Sequence, residues 1–106
     1  MVNQLKTLQE FEDAKKNNQL VVFDFTAVWC PPCQMIGPKF VECSNDAAYE
    51  GIAFFKVDVD ENGEASEAAG ITCMPTFQFY KGGNKVDELQ GASLDGLKQK
   101  LANLKA

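Results

Sequence analysis

The sequence predicts an α/β fold in which a central mixed sheet of about five strands is flanked by about four helices. Two apolar runs have the character of buried strands, segments with helical periodicity alternate with the strands, and a glycine-rich turn joins the last two strands. This alternation implies right-handed crossovers and helices on both faces of the sheet. The terminal hairpin adds an antiparallel strand, which makes the sheet mixed.

The chain opens with a short strand, Val2 to Leu5, followed by a helix. Thr7 and Glu10 have the spacing of a capping box, in which each side chain accepts a hydrogen bond from the backbone N–H of the other residue. The helix is therefore expected to begin after Thr7 and to end near Asn17–Asn18. Its buried stripe is predicted to consist of Leu8, Phe11 and Ala14.

The second strand, Leu20 to Thr26, is apolar on both faces apart from Asp24 and its last residue. This pattern is typical of a central strand in a mostly parallel sheet. A helix is predicted from Cys30 to about Tyr49, and Pro38 inside it is expected to kink it. The residues of this helix that are expected to enter the core are Phe40, Val41, Cys43, Ala47 and Ala48.

A third strand, Ile52 to Val59, is followed by a short helix, Glu61 to Ala69, which Gly70 ends. The acidic residues at this junction are Asp58, Asp60 and Glu61. They are compatible with a cation site, but we favour a solvated turn between strand and helix, with Asp60 near the cap position.

The last three elements are a hairpin and a helix. Thr76 to Tyr80 alternates in polarity, Gly82 to Asn84 forms the turn, and Lys85 to Leu89 returns as an antiparallel partner. Ser93 caps the final helix, whose buried stripe is Leu94, Leu97, Leu101 and Leu104. No linker, repeat or low-complexity segment interrupts the chain, so residues 1–106 are expected to form a single domain.

The composition argues against several classes of function. The 106 residues carry a net charge of −5 and no basic patch, so neither nucleic acid nor an anionic membrane is an expected partner. The apolar runs are too short to cross a bilayer, and the first residues lack a secretory signal. With no histidine, a Ser–His or Cys–His catalytic pair within the chain is excluded. We expect a cytoplasmic protein.

Two of the four cysteines, Cys30 and Cys33, follow the second strand and flank two prolines. Residues three apart are neighbours on a helix, so both sulfurs are expected at one helix start, where negative charge is stabilised and a thiol's pKa is lowered. We predict thiol–disulfide exchange, with Cys30 as the more exposed nucleophile and Cys33 as the resolving thiol. A zinc site would need Cys43 and Cys73 as well, and neither has the spacing of such sites.

Asp24 lies in the middle of an apolar strand, six residues before Cys30. Burying a carboxylate is costly, so we expect its pKa to be raised. Lys56, at a similar level of the next apolar strand, would pair with Asp24 and lower that pKa, or else be a surface lysine with only its stem buried. The competing interpretation of Asp24 is a solvent-facing aspartate on an edge strand, which its apolar neighbours disfavour.

Segments spread along the whole chain carry a family resemblance. They are residues 22–25, the Trp-Cys-Pro-Pro-Cys motif at 29–33, Pro38, 57–60, 74–77, 81–83 and 91–92. With them the chain resembles the thioredoxin family. The resemblance implies the thioredoxin fold, the reduction of protein disulfides, and a role for Asp24 as the base that takes the Cys33 proton through water.

The resemblance also implies a docking surface for protein substrates. The family carries a cis proline at the position of Pro75, although most X–Pro bonds are trans. A cis bond there turns the Met74 backbone towards an extended substrate. Trp29 would be a partly exposed lid beside the cysteine pair. The implied docking surface consists of Trp29, Thr72, Met74, Pro75, Gly91 and Ala92.

By the same resemblance, electrons come from NADPH through thioredoxin reductase, and the protein itself binds no cofactor. The implied substrates are disulfides of proteins such as peroxiredoxin, ribonucleotide reductase and methionine sulfoxide reductase. Cys73 makes the chain similar to the cytosolic animal type. We expect a monomer in which Cys73 is either a regulatory thiol that links two copies on oxidation or an unreactive thiol. Cys43 is expected to be buried and inert.

Two positions depart from the family pattern. Pro31 stands where glycine is usual. Proline suits the first helical turn and leaves the Cys33 N–H available to the Cys30 sulfur, so we expect an intact fold with a shifted redox potential. Gln34 stands where a basic residue is frequent, so the Cys30 thiolate should be less stabilised.

Two rival functions stay open at this point. A glutaredoxin or disulfide-isomerase-like enzyme would also exchange disulfides, but Trp29 and the strand with Asp24 favour the thioredoxin family, and an isomerase would be expected to carry a histidine between its cysteines. A binding module would use the same fold to hold a partner, with redox turnover secondary. Substitution of both Cys30 and Cys33 separates the binding module from the enzymes.

Overall fold

The computed structural model describes residues 2–106, which form a five-stranded sheet with helices on both faces. The strands are β1 (Val2–Gln4), β2 (Leu20–Thr26), β3 (Ile52–Asp58), β4 (Thr76–Lys81) and β5 (Asn84–Gln90). The helices are α1 (Leu8–Asn17), α2 (Pro31–Ser44), α3 (Gly63–Ala68) and α4 (Leu94–Lys105), with a 3₁₀ turn at Ala47–Tyr49. The predicted fold class is confirmed.

The strand order places β2 at the centre of the sheet, as its apolar character on both faces predicts. The order is β1-β3-β2-β4-β5, with β1, β3 and β2 parallel and β4 and β5 antiparallel to their neighbours. In this register Asp24 lies between Lys56 of β3 and Phe77 of β4. The central strand therefore places the Asp24 carboxylate in the interior of the protein.

Two apolar layers cover the sheet. Phe77 and Phe79 belong to the layer between the sheet and helices α2 and α4. Phe11 of α1 and Phe23 of β2 belong to the layer between the sheet and helices α1 and α3. All four rings are essentially inaccessible to solvent. Each such ring contributes roughly 2 kcal/mol of burial free energy, so the two layers hold the sheet in place.

The predicted helix starts are confirmed at both ends of the chain. The Glu10 N–H donates to Thr7 Oγ1 at 3.0 Å and the Thr7 N–H donates to Glu10 Oε1 at 3.1 Å, which completes the capping box of α1. Ser93 caps α4 by accepting a hydrogen bond from the Gly96 N–H. No helix among the described residues combines the length and apolar character that crossing a membrane requires.

The prediction of one helix from Cys30 to Tyr49 is wrong, because α2 ends at Ser44 and a 3₁₀ turn follows. The helix continues through Pro38. Ile36, Phe40 and Cys43 share its buried face at helical spacing. Val41 lies one residue beyond Phe40 and is therefore turned outwards, and the two alanines of the 3₁₀ turn are also exposed. The residues wrongly assigned to the core are Val41, Ala47 and Ala48.

The predicted start of the third helix is also wrong. Its N-cap is Asn62, whose Oδ1 accepts a hydrogen bond from the Ala65 N–H, and α3 begins at Gly63 rather than at Glu61. The preceding turn is held by Asp58 Oδ1, which accepts hydrogen bonds from the N–H groups of Asp60 at 2.8 Å and Glu61 at 3.2 Å. Asp60 and Glu61 are exposed, as expected of a solvated turn, whereas Asp58 is buried.

Candidate active site

The cysteine pair lies at the start of α2, as its spacing predicts. Cys30 is the N-cap residue, Pro31 and Pro32 occupy the first two helical positions, and the Cys33 N–H donates to Cys30 Sγ at 3.3 Å. The two sulfurs form a disulfide between Cα atoms 5.3 Å apart. Cys30 is 5% exposed and Cys33 2%. Both residues are therefore buried in the disulfide form.

The loop before the pair is fixed by one carbonyl group. Ala27 O accepts hydrogen bonds from the Cys30 N–H at 3.3 Å and from Gln34 Nε2 at 2.9 Å. Gln34 therefore closes the turn that presents Cys30, and it does so without bringing a positive charge. Met74 and Val59 pack against the small cluster that Ala27 forms with the two cysteines.

Asp24 is buried, with 3% of its surface exposed, and its Oδ1 finds no hydrogen-bond partner in residues 2–106. Burial raises the pKa of Asp24 to about 7, and the charge of Lys56 opposes this rise. The predicted direction of the shift is confirmed, and the edge-strand interpretation is wrong. Lys56 is directly opposite Asp24 in the register but exposed, so solvent screens its charge.

A cavity of about 390 Å³ lies beneath the start of α2 and connects Asp24 with Cys33. Asp24 and Cys33 both line it, and Lys56, Gln4 and Glu61 also contribute to its wall. A polar cavity of this size has room for several water molecules. The geometry therefore allows a proton to pass between the Cys33 thiol and the Asp24 carboxylate through water.

Pro75 brings a second loop against the cysteine pair. The Met74–Pro75 bond is cis, as the resemblance implies. Met74 O lies 3.7 Å from Cys30 Sγ, and Pro75 O accepts a hydrogen bond from the Gly91 N–H at 2.9 Å. Thr72 is exposed just before this loop turns towards Cys30. Ala92, the remaining predicted docking residue, is half-buried against the apolar layer beneath α2 and α4.

Trp29 is 62% exposed beside the nucleophile, and its Nε1 donates to Asp60 Oδ2 at 2.7 Å. Asp60 was expected at a helix cap, and instead it fixes the orientation of this ring. The pair is 31 residues apart in sequence, so no local pattern reveals it. Two further apolar residues near the motif, Val28 and Met35, are 77% and 67% exposed, and neither was predicted from the sequence.

The other two cysteines differ in accessibility. Cys73 is exposed, with its sulfur 3.8 Å from Thr76 Oγ1. Cys43 is buried as predicted, and burial raises the pKa of its thiol. Within residues 2–106, no three histidine, cysteine, aspartate or glutamate side chains come close enough together to hold a metal ion.

The sequence matches the model of one protein family, Thioredoxin, over residues 2–103. The chain belongs to the thioredoxin family. The thioredoxin of Ictalurus punctatus is 50% identical over 103 residues, which cover 95% of this chain and 96% of that relative. The thioredoxin of Geodia cydonium is 51% identical over 104 residues, with 95% and 96% covered. The solution structure of the oxidised thioredoxin from Plasmodium falciparum is similar with a TM-score of 0.91, at 43% identity and with 100% of both chains covered.

Thioredoxins are dithiol–disulfide oxidoreductases that act on proteins, and this chain carries their redox-active pair as the Cys30–Cys33 disulfide. The predicted function is therefore confirmed at the level of reaction class. The roles of the individual side chains around the pair are a separate question.

Proposed function

We propose that the protein reduces disulfides of other proteins by a two-thiol exchange at the start of α2. One observation carries the proposal: the Cys33 N–H points at Cys30 Sγ, 3.3 Å away, while Cys30 caps the helix. After reduction, that N–H and the helix N-terminus stabilise a thiolate on Cys30. Because Pro31 and Pro32 have no N–H, Cys33 offers the first backbone donor of the helix.

In the first step, the Cys30 thiolate attacks one sulfur of a substrate disulfide. The substrate S–S bond breaks, a bond forms between Cys30 and that sulfur, and the other substrate sulfur leaves as a thiolate that takes a proton. In the second step, Cys33 loses its proton and attacks Cys30 Sγ. This closes the Cys30–Cys33 disulfide and releases the second substrate thiol, so that two electrons pass from the protein to the substrate.

Asp24 is the proposed base for the second step. It shares the cavity beneath α2 with Cys33, and burial brings its pKa to about 7. A base with a pKa close to the working pH both accepts and returns a proton readily. Lys56 is assigned a modulating role, because its exposed charge favours the ionised form of Asp24 only weakly.

The proposed docking surface surrounds the disulfide. Trp29 forms one side and the loop with the cis Met74–Pro75 bond forms the other. An extended substrate segment would pair with the backbone of Met74, which requires no particular substrate sequence. The full set of docking residues that we propose is Trp29, Thr72, Met74, Pro75, Gly91 and Ala92.

We place the protein in the cytoplasm as a single-domain monomer of the animal type, with the two-proline motif as a variant of the family's usual site. The identity to the Ictalurus punctatus and Geodia cydonium proteins supports the type. Thioredoxin reductase would return electrons from NADPH, and thioredoxins themselves need no bound cofactor. Peroxiredoxin, ribonucleotide reductase and methionine sulfoxide reductase represent the proposed substrate class.

The test is reduction of insulin disulfides with two electron sources in parallel: NADPH with thioredoxin reductase, and glutathione with glutathione reductase. We expect turnover with the first source, little with the second, and none in the Cys30→Ser/Cys33→Ser double variant. In the Cys33→Ser variant, insulin should stay attached to Cys30 as a mixed disulfide. Equal turnover by the double variant, or turnover that only glutathione supports, would overturn the proposal.

A further inference from the structure

Side chains on one face of β4 form a buried polar ladder, which we define as Thr76, Gln78 and Tyr80. They alternate along the strand with Phe77 and Phe79, which face the opposite layer. Thr76 is 1% exposed, Gln78 0% and Tyr80 8%. Buried polar groups destabilise the fold unless their hydrogen bonds are satisfied. The hydrogen-bond partners of these three side chains therefore indicate their structural role.

Two of these partners are backbone carbonyls of one loop. Thr76 Oγ1 donates to Cys73 O at 2.7 Å, and Gln78 Nε2 donates to Ala69 O at 3.0 Å. The Tyr80 hydroxyl donates to Gln78 Oε1 at 2.9 Å, and Gln78 Nε2 also donates to Glu88 Oε1 of β5 at 3.0 Å. The ladder thus ties the segment that follows α3 to the sheet at two points.

The tied segment, residues 69–75, connects α3 to β4 and passes the cysteine pair. Its Met74 carbonyl lies 3.7 Å from Cys30 Sγ. Thr72 and Cys73 are exposed, so little side-chain burial fixes the middle of the segment. A third tie, from the Gly91 N–H to Pro75 O, fixes its end. These three hydrogen bonds therefore hold a segment in which the side chains of Thr72 and Cys73 contribute little apolar packing.

We propose that Thr76 and Gln78 are positioning residues that hold residues 69–75 in the conformation that docks protein substrates. This inference rests on the proposed function, which assigns Thr72, Met74 and Pro75 to the docking surface. A backbone that is already ordered loses less conformational entropy when a substrate strand pairs with it. Within residues 2–106, neither residue hydrogen-bonds to Cys30 or Cys33, so their effect is on substrate binding and not on the exchange itself.

The experiment compares a protein disulfide, insulin, with a small aromatic disulfide, 5,5′-dithiobis(2-nitrobenzoate), which needs only access to Cys30. Thr76→Val keeps the shape and removes the hydroxyl. Gln78→Met removes all three hydrogen bonds of the amide, the two that Nε2 donates and the one that Oε1 accepts. We expect each to raise the KM for insulin about five- to tenfold, with kcat for insulin and the rate with the small disulfide within twofold of the original. Thr76→Ser should restore the KM.

Tyr80→Phe is the matched control, because among residues 2–106 the Tyr80 hydroxyl hydrogen-bonds to Gln78 and not to the tied segment. We expect it to leave the KM for insulin within twofold. Loss of both activities by the same factor in Thr76→Val, or an unchanged KM with a lowered denaturation midpoint, would show a purely structural ladder and overturn the inference. Thr76→Val and Gln78→Met remove different ties of the segment, so if one variant fails to fold the other still decides. If the unsubstituted protein does not reduce insulin at all, the proposed function fails, and not the ladder alone.

Discussion

Asp24 is a buried carboxylate in an environment that disfavours its charge. It lies on the central strand between Phe23 and Phe25, and its Oδ1 has no hydrogen-bond partner in the described chain. A stabilising role would favour an apolar residue or a paired carboxylate here. Asp24 shares a cavity with Cys33. The proposed role in proton transfer would explain why a carboxylate that destabilises the fold occupies this position.

The stability of the protein should therefore fall as pH rises from about 4 to about 7. The pKa of Asp24 is raised from 3.8 to about 7, so the folded state binds more protons than the unfolded state across this interval. By linkage, ionising Asp24 costs the folded state up to roughly 4 kcal/mol at alkaline pH, an order-of-magnitude figure. We expect Asp24→Asn to be more stable than the original at pH 8, by a few kcal/mol at most, and to resolve mixed disulfides more slowly.

Urea unfolding of both proteins at pH 4 and pH 8 measures this difference. At pH 4 most of the advantage of Asp24→Asn should disappear, because Asp24 is then protonated in the folded state. The same difference in unfolding free energy at both pH values would contradict the raised pKa. Unchanged insulin reduction by Asp24→Asn would remove the residue from the mechanism.

Gln34 places a neutral side chain near the nucleophile, Cys30. It donates to Ala27 O and closes the loop before Cys30, but it carries no charge. A positive charge at this place favours the thiolate, so Gln34→Lys should lower the pKa of Cys30 in the reduced protein. Gln34→Met, a neutral control of similar length, should not. Thiolate absorbance at 240 nm as a function of pH measures both variants, and equal values for Gln34→Lys and the original would reject the idea.

At the scale of the element, the start of α2 was predicted and its end was missed. The motif around Cys30 marks the start, because proline favours the first helical turn. At the other end, Ser44, Asn45 and Asp46 are poor helix formers. Asn45 is the C-cap of α2 and Asp46 caps the 3₁₀ turn that follows, so the sequence carried a local signal for the end of the helix that the prediction did not use.

Helix α3 gives a test of what a cap contributes when it is also a tertiary contact. Asn62 caps this helix and its Nδ2 donates to Leu5 O at 3.2 Å, with 3% of the residue exposed. Thr7 caps α1 at the surface. We expect Thr7→Ala to lower the unfolding free energy by about 1 kcal/mol and Asn62→Ala by about 2–3 kcal/mol, because the latter also leaves a buried carbonyl without its donor. Urea denaturation compares them, and losses of equal size would contradict this account of Asn62.

At the scale of the whole molecule, the topology followed from features that are local in sequence. The apolar β2, the alternation in β4 and the glycine turn before β5 were enough to predict a mixed sheet. The unpredicted parts join residues far apart in the chain, such as the bond from Trp29 to Asp60 and the tie from Gln78 to Ala69. Such contacts form only when the fold brings their partners together. The sequence pattern therefore predicted the cysteine pair and Asp24 as site residues, but it did not predict the groups that orient the loops around them.

Oxidation should link two molecules through Cys73, because it is the exposed free thiol, whereas Cys43 is buried. After mild treatment with hydrogen peroxide, we expect non-reducing electrophoresis to show a dimer for the original protein and for Cys43→Ser. The dimer should be absent from Cys73→Ser. A dimer that persists in Cys73→Ser would exclude this thiol as the link.

The central claim is that Cys30 carries a stabilised thiolate at a helix start, and its alkylation tests this most directly. The reduced protein is treated with iodoacetamide between pH 5 and pH 9, and each cysteine is followed by mass spectrometry. We predict that Cys30 reacts fastest at pH 7, with an apparent pKa below the roughly 8.5 of an ordinary thiol, while buried Cys43 reacts slowest. A rate for Cys30 no greater than that of exposed Cys73 across the whole pH range would contradict the account.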